Sequence, residues 1–176
     1  LRQQLGTERS RLNAVMIHAQ DYEAVAARLH RVMLALIAAP EIDTACKVLR
    51  EHLCDEFATE AVALKLFPAN DRGRMEEPLS RLFADFIATQ ACVCGALPPP
   101  QGRALFGEEA GKVHSAALVP INGADHQGVL AIGSTDPERF TPDMGTDLLE
   151  RFRAVVSAKL NDLLHRERHN CTSVMG

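Results

Sequence analysis

The sequence predicts an α+β domain built around an antiparallel sheet, on two observations. Two apolar runs, 113–121 and 128–134, are joined by Asn122-Gly123-Ala124-Asp125-His126-Gln127, and Asn-Gly is strong hairpin chemistry. Helical periodicities stand before and after them, giving the order helix, helix, strand, helix, strand, apolar hairpin, helix. Both faces of the hairpin strands are largely apolar, so both are expected to be covered.

The first forty residues carry a heptad pattern. One position takes Leu5, Leu12, Ala19, Ala26 and Met33; its partner takes Glu8, Val15, Tyr22, Leu29 and Leu36, apolar except for Glu8. A helix over 1–38 would be roughly 55 Å long. That exceeds what a compact domain needs, and its seam is costly to leave in water, so pairing with a second chain is expected; the plainer alternative is two core helices broken near Asp21. Pro40 ends the segment. A second helix is expected from Asp43, as cap, to Phe57, followed by a strand over 61–67 with Val62, Leu64 and Leu66 on one face. Residues 68–74 form a polar loop, continued by the mixed charges of Arg72, Arg74, Glu76 and Glu77, and Leu79, Leu82, Phe83 and Phe86 then recur at helical spacing. A short extended piece, 91–95, precedes Pro98-Pro99-Pro100 and a helical turn over 103–109. Thr141-Pro142 is expected to cap and open the closing helix, whose stripe includes Phe152, Val156, Leu160 and Leu163. The organisation expected is a dimerisation helix (1–40), a folded domain (41–168) and a flexible tail (169–176).

At 176 residues and 47% apolar content the chain is long enough to bury a core unaided. A formal net charge of −4 argues against nucleic acid as partner. No apolar run approaches the ~20 residues of a membrane span, and no secretory signal is visible at Leu1-Arg2-Gln3-Gln4. The chain starts within a helical pattern and without Met, so further amino-terminal sequence is expected. Five cysteines without disulfide-framework spacing point to a reducing cytoplasm.

The stretch 128–134, then Pro137-Glu138-Arg139-Phe140-Thr141-Pro142 and Asp147-Leu148-Leu149, resembles the carboxyl-terminal signature of GAF domains. More narrowly, Cys94-Gly95, Phe106-Gly107, Ser115–Pro120 and Gly145-Thr146-Asp147 resemble a bacterial GAF-like group, domain of unknown function 484, over about residues 20 to 165. The resemblance implies a GAF-like sheet with the amino- and carboxyl-terminal helices packed on one face and forming a parallel dimer bundle. It also implies a cup for a small molecule on the other face, roofed by 79–89 and 101–107. The ligand-binding residues expected there are Cys94, Gly95, Phe106, Ser115 and Ser134, with Cys94, Ser115 and Ser134 as walls. The Asn-Lys-Phe-Asp-Glu cluster of cyclic-nucleotide-binding GAF domains is absent, and no bilin-type cysteine context is found.

Cys92 and Cys94 alternate onto one strand face, with thiols about 7 Å apart, too far for an unstrained disulfide. Val93-Cys94-Gly95 is similar to the reactive-cysteine context of free methionine-R-sulfoxide reductases, which opens a thiol-dependent alternative; no basic neighbour explains a lowered thiol pKa. His114 and Ser115 point to opposite faces and cannot work as base and nucleophile. His165 and His169 lie four apart near a helix end, where solvation and the helix dipole suffice to explain them. Asp147 complements the dipole at the start of the closing helix. No catalytic constellation, metal site or cofactor is expected. The function expected is a regulatory or sensor-type homodimer, possible holder of a small metabolite; the alternatives are a thiol-dependent reductase and a structural dimer without ligand.

Overall fold

The structure is a computed structural model describing residues 2–69 and 78–173. Helix α1 (Arg2–Ala38) is one unbroken rod, so no break falls at Asp21. Among the described side chains, those of its second half meet the body. Val25, Leu29, Val32 and Leu36, spaced 4-3-4, present one face to the core, and Leu29, Val32 and Leu36 are buried there. Leu5, Leu12 and Met16 stay in solvent. The side chains of Val15 and Ala19, expected on the seam, lie outside the described residues.

Pro40 cannot continue α1, and α2 (Ile42–Phe57) begins at once. Glu41 holds the cap position without a side-chain hydrogen bond. Asp43, expected as the cap, therefore sits in the first turn, where its charge complements the helix dipole instead. Ala58 takes a left-handed conformation (φ 46°) that closes α2 and turns the chain into β1 (Ala61–Pro68). The polar loop and mixed charges expected beyond Ala69 lie outside the described residues. The next helical pattern divides into α3 (Pro78–Leu82) and α4 (Ala84–Thr89) at Phe83, followed by β2 (Val93–Gly95). Pro99, at a first-turn position where the missing N–H costs nothing, opens α5 (Pro99–Phe106), and a 3₁₀ segment, Gly107–Lys112, leads to the hairpin.

Strands β3 (Ser115–Asn122) and β4 (His126–Ser134) pair with Ser115 opposite Ser134 and Asn122 opposite Gln127. Their turn closes with the Gly123 amide donating to the His126 carbonyl at 2.9 Å. The sheet order is β1-β4-β3-β2, antiparallel throughout. Alternation sorts the hairpin's apolar residues onto two covered faces. Ala117, Val119, Ile121, Leu130 and Ile132 meet α1, α2 and the closing helix α6 (Asp147–Ser173). Leu118, Val129 and Ala131 meet α3, α4 and α5. Gly133 permits the second contact: a Cβ there would lie 3.0 Å from Phe106 Cζ and 3.0 Å from Val113 Cγ1.

Helix α6 starts later than Thr141-Pro142 suggested. Those residues form a turn, with the Met144 amide donating to the Thr141 carbonyl at 3.0 Å. The first helical bond is Glu150 N–H to the Thr146 carbonyl, 2.9 Å. Two causes act together. Gly145 lowers helix propensity by about 1 kcal/mol relative to alanine, and Pro142 packs over Gly95, its Cγ 3.3 Å from where a Cβ would stand. At the other end α6 runs through Ser173, so the tail expected from His169 is helical that far; residues 174–176 lie outside the described residues. Among the described residues no helix is long and apolar enough to cross a membrane.

Candidate functional site

The five residues expected around a cup separate onto different parts of the fold. Cys94 pairs with Ala117, and Ser115 with Ser134, in the register whose side chains meet the terminal helices. Cys94, Ser115 and Ser134 are therefore not walls of the roofed face; strand alternation turns them to the opposite side of the sheet. Phe106 does face the roof, lying on Gly133. Gly95 is buried under Pro142 with a φ of 145°. Neither of the two cavities described below is lined by any of the five.

The two serines have hydrogen-bonding work of their own. Ser115 Oγ donates to the Asp136 carbonyl at 2.6 Å and accepts from the Phe140 amide at 3.3 Å. Ser134 Oγ accepts from the Asp136 amide at 3.2 Å. Glu60 adds an outer clamp, accepting from the Thr135 amide and hydroxyl. The turn after β4, where the family-like signature lies, is thus pinned to the ends of β3 and β4 by short side chains. Arg139, delivered by that turn, donates to the Phe57 carbonyl at the end of α2.

Cys92 and Cys94 are buried among the helices, and only Val93 between them faces solvent. Burial, reinforced by the nearby Glu150 carboxylate, pushes the Cys92 thiol up to about 12. Burial alone raises Cys94. Both are held as neutral thiols, the reverse of what a nucleophilic or redox cysteine requires. Glu150 itself is partly buried, which disfavours its charge. The Cys92 amide at 2.7 Å and the Arg153 guanidinium at 2.8 Å outweigh that and keep it below the usual carboxylate range. His114 is exposed and its amide bonds the Ser134 carbonyl, while Ser115 is buried, so the two have no shared chemistry. His165 and His169 approach with Nε2 atoms 2.9 Å apart on the exposed end of α6. Among the described residues no group of three or more potential metal ligands occurs.

Under the roof, Phe83, Ile87 and Leu105 are buried against Phe67, Leu118 and Val129, filling with side chains the space where a cup was expected. A cavity of about 330 Å³ remains at the margin, lined by Ser80, Arg81, Ala84, Ile87 and Gln127 among others. A larger groove of about 660 Å³ opens on the other side, between the middle of α1 and the start of α6. Sequence reading missed it because its walls come from residues far apart in the chain. Its local traces are the Arg139-Phe140 pair inside the turn before α6 and Asp147-Leu148-Leu149 at the start of that helix.

A family model described as "Protein of unknown function, DUF484" matches residues 1–165. No curated protein matches the chain. Among solved structures, the fold is similar to the GAF domain of a phosphoenolpyruvate-protein phosphotransferase (ptsP) from Coxiella burnetii. That pair has 18% identity and a TM-score of 0.54, covering 83% of this chain and 95% of that one. A second is the GAF domain of the Acinetobacter phosphoenolpyruvate-protein phosphotransferase, with 15% identity and a TM-score of 0.52, covering 76% and 90%. At such identities the likeness establishes a shared fold and nothing finer.

Proposed function

The chain belongs to the DUF484 family and carries a GAF fold, and on that premise we propose that it is a non-enzymatic regulatory module acting as a homodimer joined through α1. One observation carries the reading. Leu5, Leu12 and Met16 are 61%, 64% and 60% exposed, and further along the same helix Leu34 and Ile37 are 54% and 57% exposed. At 3.6 residues per turn these five fall within an arc of about 60°, roughly 145° around the helix from the Val25–Leu29–Val32–Leu36 stripe. The free apolar residues thus form two patches on one arc, one toward each end of the rod with exposed Glu23 and His30 between them, and this arc differs from the heptad seam expected from sequence, because Leu29 and Leu36 belong to the chain's own core. A second copy of the same face is the simplest cover for it, since an isologous pairing buries both at once. Lys159 of α6 donates to the Ile37 carbonyl at 2.9 Å, so the second terminal helix accompanies the first into such a bundle.

The protonated state of Cys92 and Cys94 supports a non-enzymatic role over thiol chemistry, and five free cysteines suit a reducing cytoplasm. A purely structural dimer is the second reading, favoured by the side-chain filling beneath the roof; detection of any specific ligand separates the two.

The test is sedimentation velocity from micromolar to hundreds of micromolar. The wild-type chain is expected to sediment as a dimer. Leu12→Glu loses about 2 kcal/mol of burial on each strand, so its dissociation constant is expected to rise about 10³-fold. A wild-type monomer throughout, or an unmoved Leu12→Glu dimer, defeats the reading.

A further inference from the structure

The groove of about 660 Å³ lies where α1 leaves the body, on the face opposite the roof. Its size is within the ~300–1,000 Å³ usual for small-molecule sites. Its floor is apolar, from Val25 and Leu29 of α1, Phe57 ending α2, Ile132 of β4, and Phe140 and Leu148. Four charges line it: Arg28 and Arg139, Asp21 and Asp147. Among the described residues none of the four joins an ion pair.

Three of these charges, Arg28, Arg139 and Asp21, can be placed along the groove. Arg139 is bonded to the Phe57 carbonyl, and Arg28 stands near enough to Glu56 to favour that carboxylate's ionised form. Both guanidiniums therefore gather at the carboxyl-terminal end of α2. Asp21 lies nearly two turns back along α1, about 10 Å from Arg28 at 1.5 Å per residue. A guanidinium has five donors, so the Phe57 carbonyl leaves Arg139 able to bind an anion as well. An occupant matching this arrangement has a carboxylate at one end, a cationic group about 10 Å away, and an apolar body between. An extended peptide spans ~3.3–3.6 Å per residue, so two or three residues fit the interval.

We propose that the groove binds a short apolar peptide with free termini, a di- or tripeptide, its carboxylate at Arg28 and Arg139 and its ammonium toward Asp21. The site deepens the regulatory reading and rests on it for its consequence: the peptide touches α1 and the start of α6 together, so its binding favours one arrangement of the two helices over others.

The probe is trileucine with both termini free, titrated by calorimetry into the full chain, beside its N-acetylated and C-amidated forms. Blocking either terminus is expected to weaken binding at least tenfold. Arg28→Gln is expected to weaken the free acid about tenfold and leave the amide unchanged. Ala24→Trp, at an exposed lining position, fills the groove and is expected to abolish binding while leaving the circular dichroism of the fold intact. Leu12→Glu, monomeric under the dimer reading, is expected to bind with wild-type affinity. The proposal is overturned if trileucine does not bind at millimolar concentration, if Ala24→Trp binds normally, or if blocked termini make no difference. Absence of peptide binding together with loss of a wild-type dimer in Ala24→Trp also overturns it, marking the groove as an interface between copies. A wild-type monomer that still binds trileucine overturns the dimer reading and leaves the groove proposal standing.

Discussion

Replacing Ser115 by alanine removes a hydroxyl that is 1% exposed and holds the turn after β4 at two points. The Asp136 carbonyl loses its 2.6 Å donor but keeps the Arg139 amide at 3.3 Å. The Phe140 amide loses the 3.3 Å acceptor that Ser115 supplies. A hydrogen bond contributes about 1 kcal/mol net, and a buried group left unpaired adds about 1–3, so Ser115→Ala is expected to cost about 2 kcal/mol. Ser134→Ala, which gives up one 3.2 Å contact with the Asp136 amide, is expected to cost about 1 kcal/mol. In a urea titration with a slope of about 2 kcal/mol/M the Ser115 variant's midpoint falls by about 1 M. The two serines hold one turn, so the double variant is expected to fall short of the sum, as for residues sharing a network. A residue whose task was to contact a ligand would be free for that contact, and its loss would leave the empty domain nearly as stable as before. A Ser115→Ala midpoint within about 0.2 M of wild type would refute the assignment of this serine to the fold.

The thiols and the packing of the roof provide further tests. Cys92 is expected to resist alkylation at pH 8 in the native protein while exposed Cys171 reacts, as mass spectrometry of the labelled chain would reveal; rapid native labelling of Cys92 contradicts the geometry. Because its folded pKa is raised from 9.0 to about 12, its stabilising contribution is complete below 9, falls as pH rises through that interval, and is gone above 12. Cys92→Ser is expected to flatten that part of the stability–pH curve. Gly133→Ala sets a methyl group 3.0 Å from Phe106 Cζ and Val113 Cγ1 and is expected to cost about 1–3 kcal/mol by thermal denaturation. Adding Phe106→Ala is expected to return part of that loss through relief of the clash; full additivity argues against the contact.

The hairpin was legible because both strands are apolar on both faces, and the Asn-Gly turn placed their register. Which face each residue would take was harder. Cys94, Ser115 and Ser134 look like cup walls in a linear reading, yet one alternation step decides the side of the sheet, and that step depends on pairing with Ala117 and with each other. The rod posed a related difficulty. Leu29 and Leu36 continue the heptads of Leu5 and Leu12, but tertiary packing claims the second half and leaves the first, so one periodic signal serves two surfaces. Helix α6 starts later than Thr141-Pro142 suggests, since proline after threonine opens helices often and nothing local reveals that Pro142 packs over Gly95 instead. The groove left almost no local signal, being assembled from Val25, Phe57, Ile132 and Leu148.

The described side chains in residues 2–20 of α1 are all exposed, and at 1.5 Å per residue this stretch extends for about 28 Å. Such an overhang multiplies motion. A tilt of about 10° at Asp21 swings the tip by about 5 Å, a step as large as one helical pitch. Side-chain shifts of a fraction of an ångström around Val25 and Leu29 are thereby magnified at the far end, where whatever precedes Leu1 in a longer polypeptide would feel them.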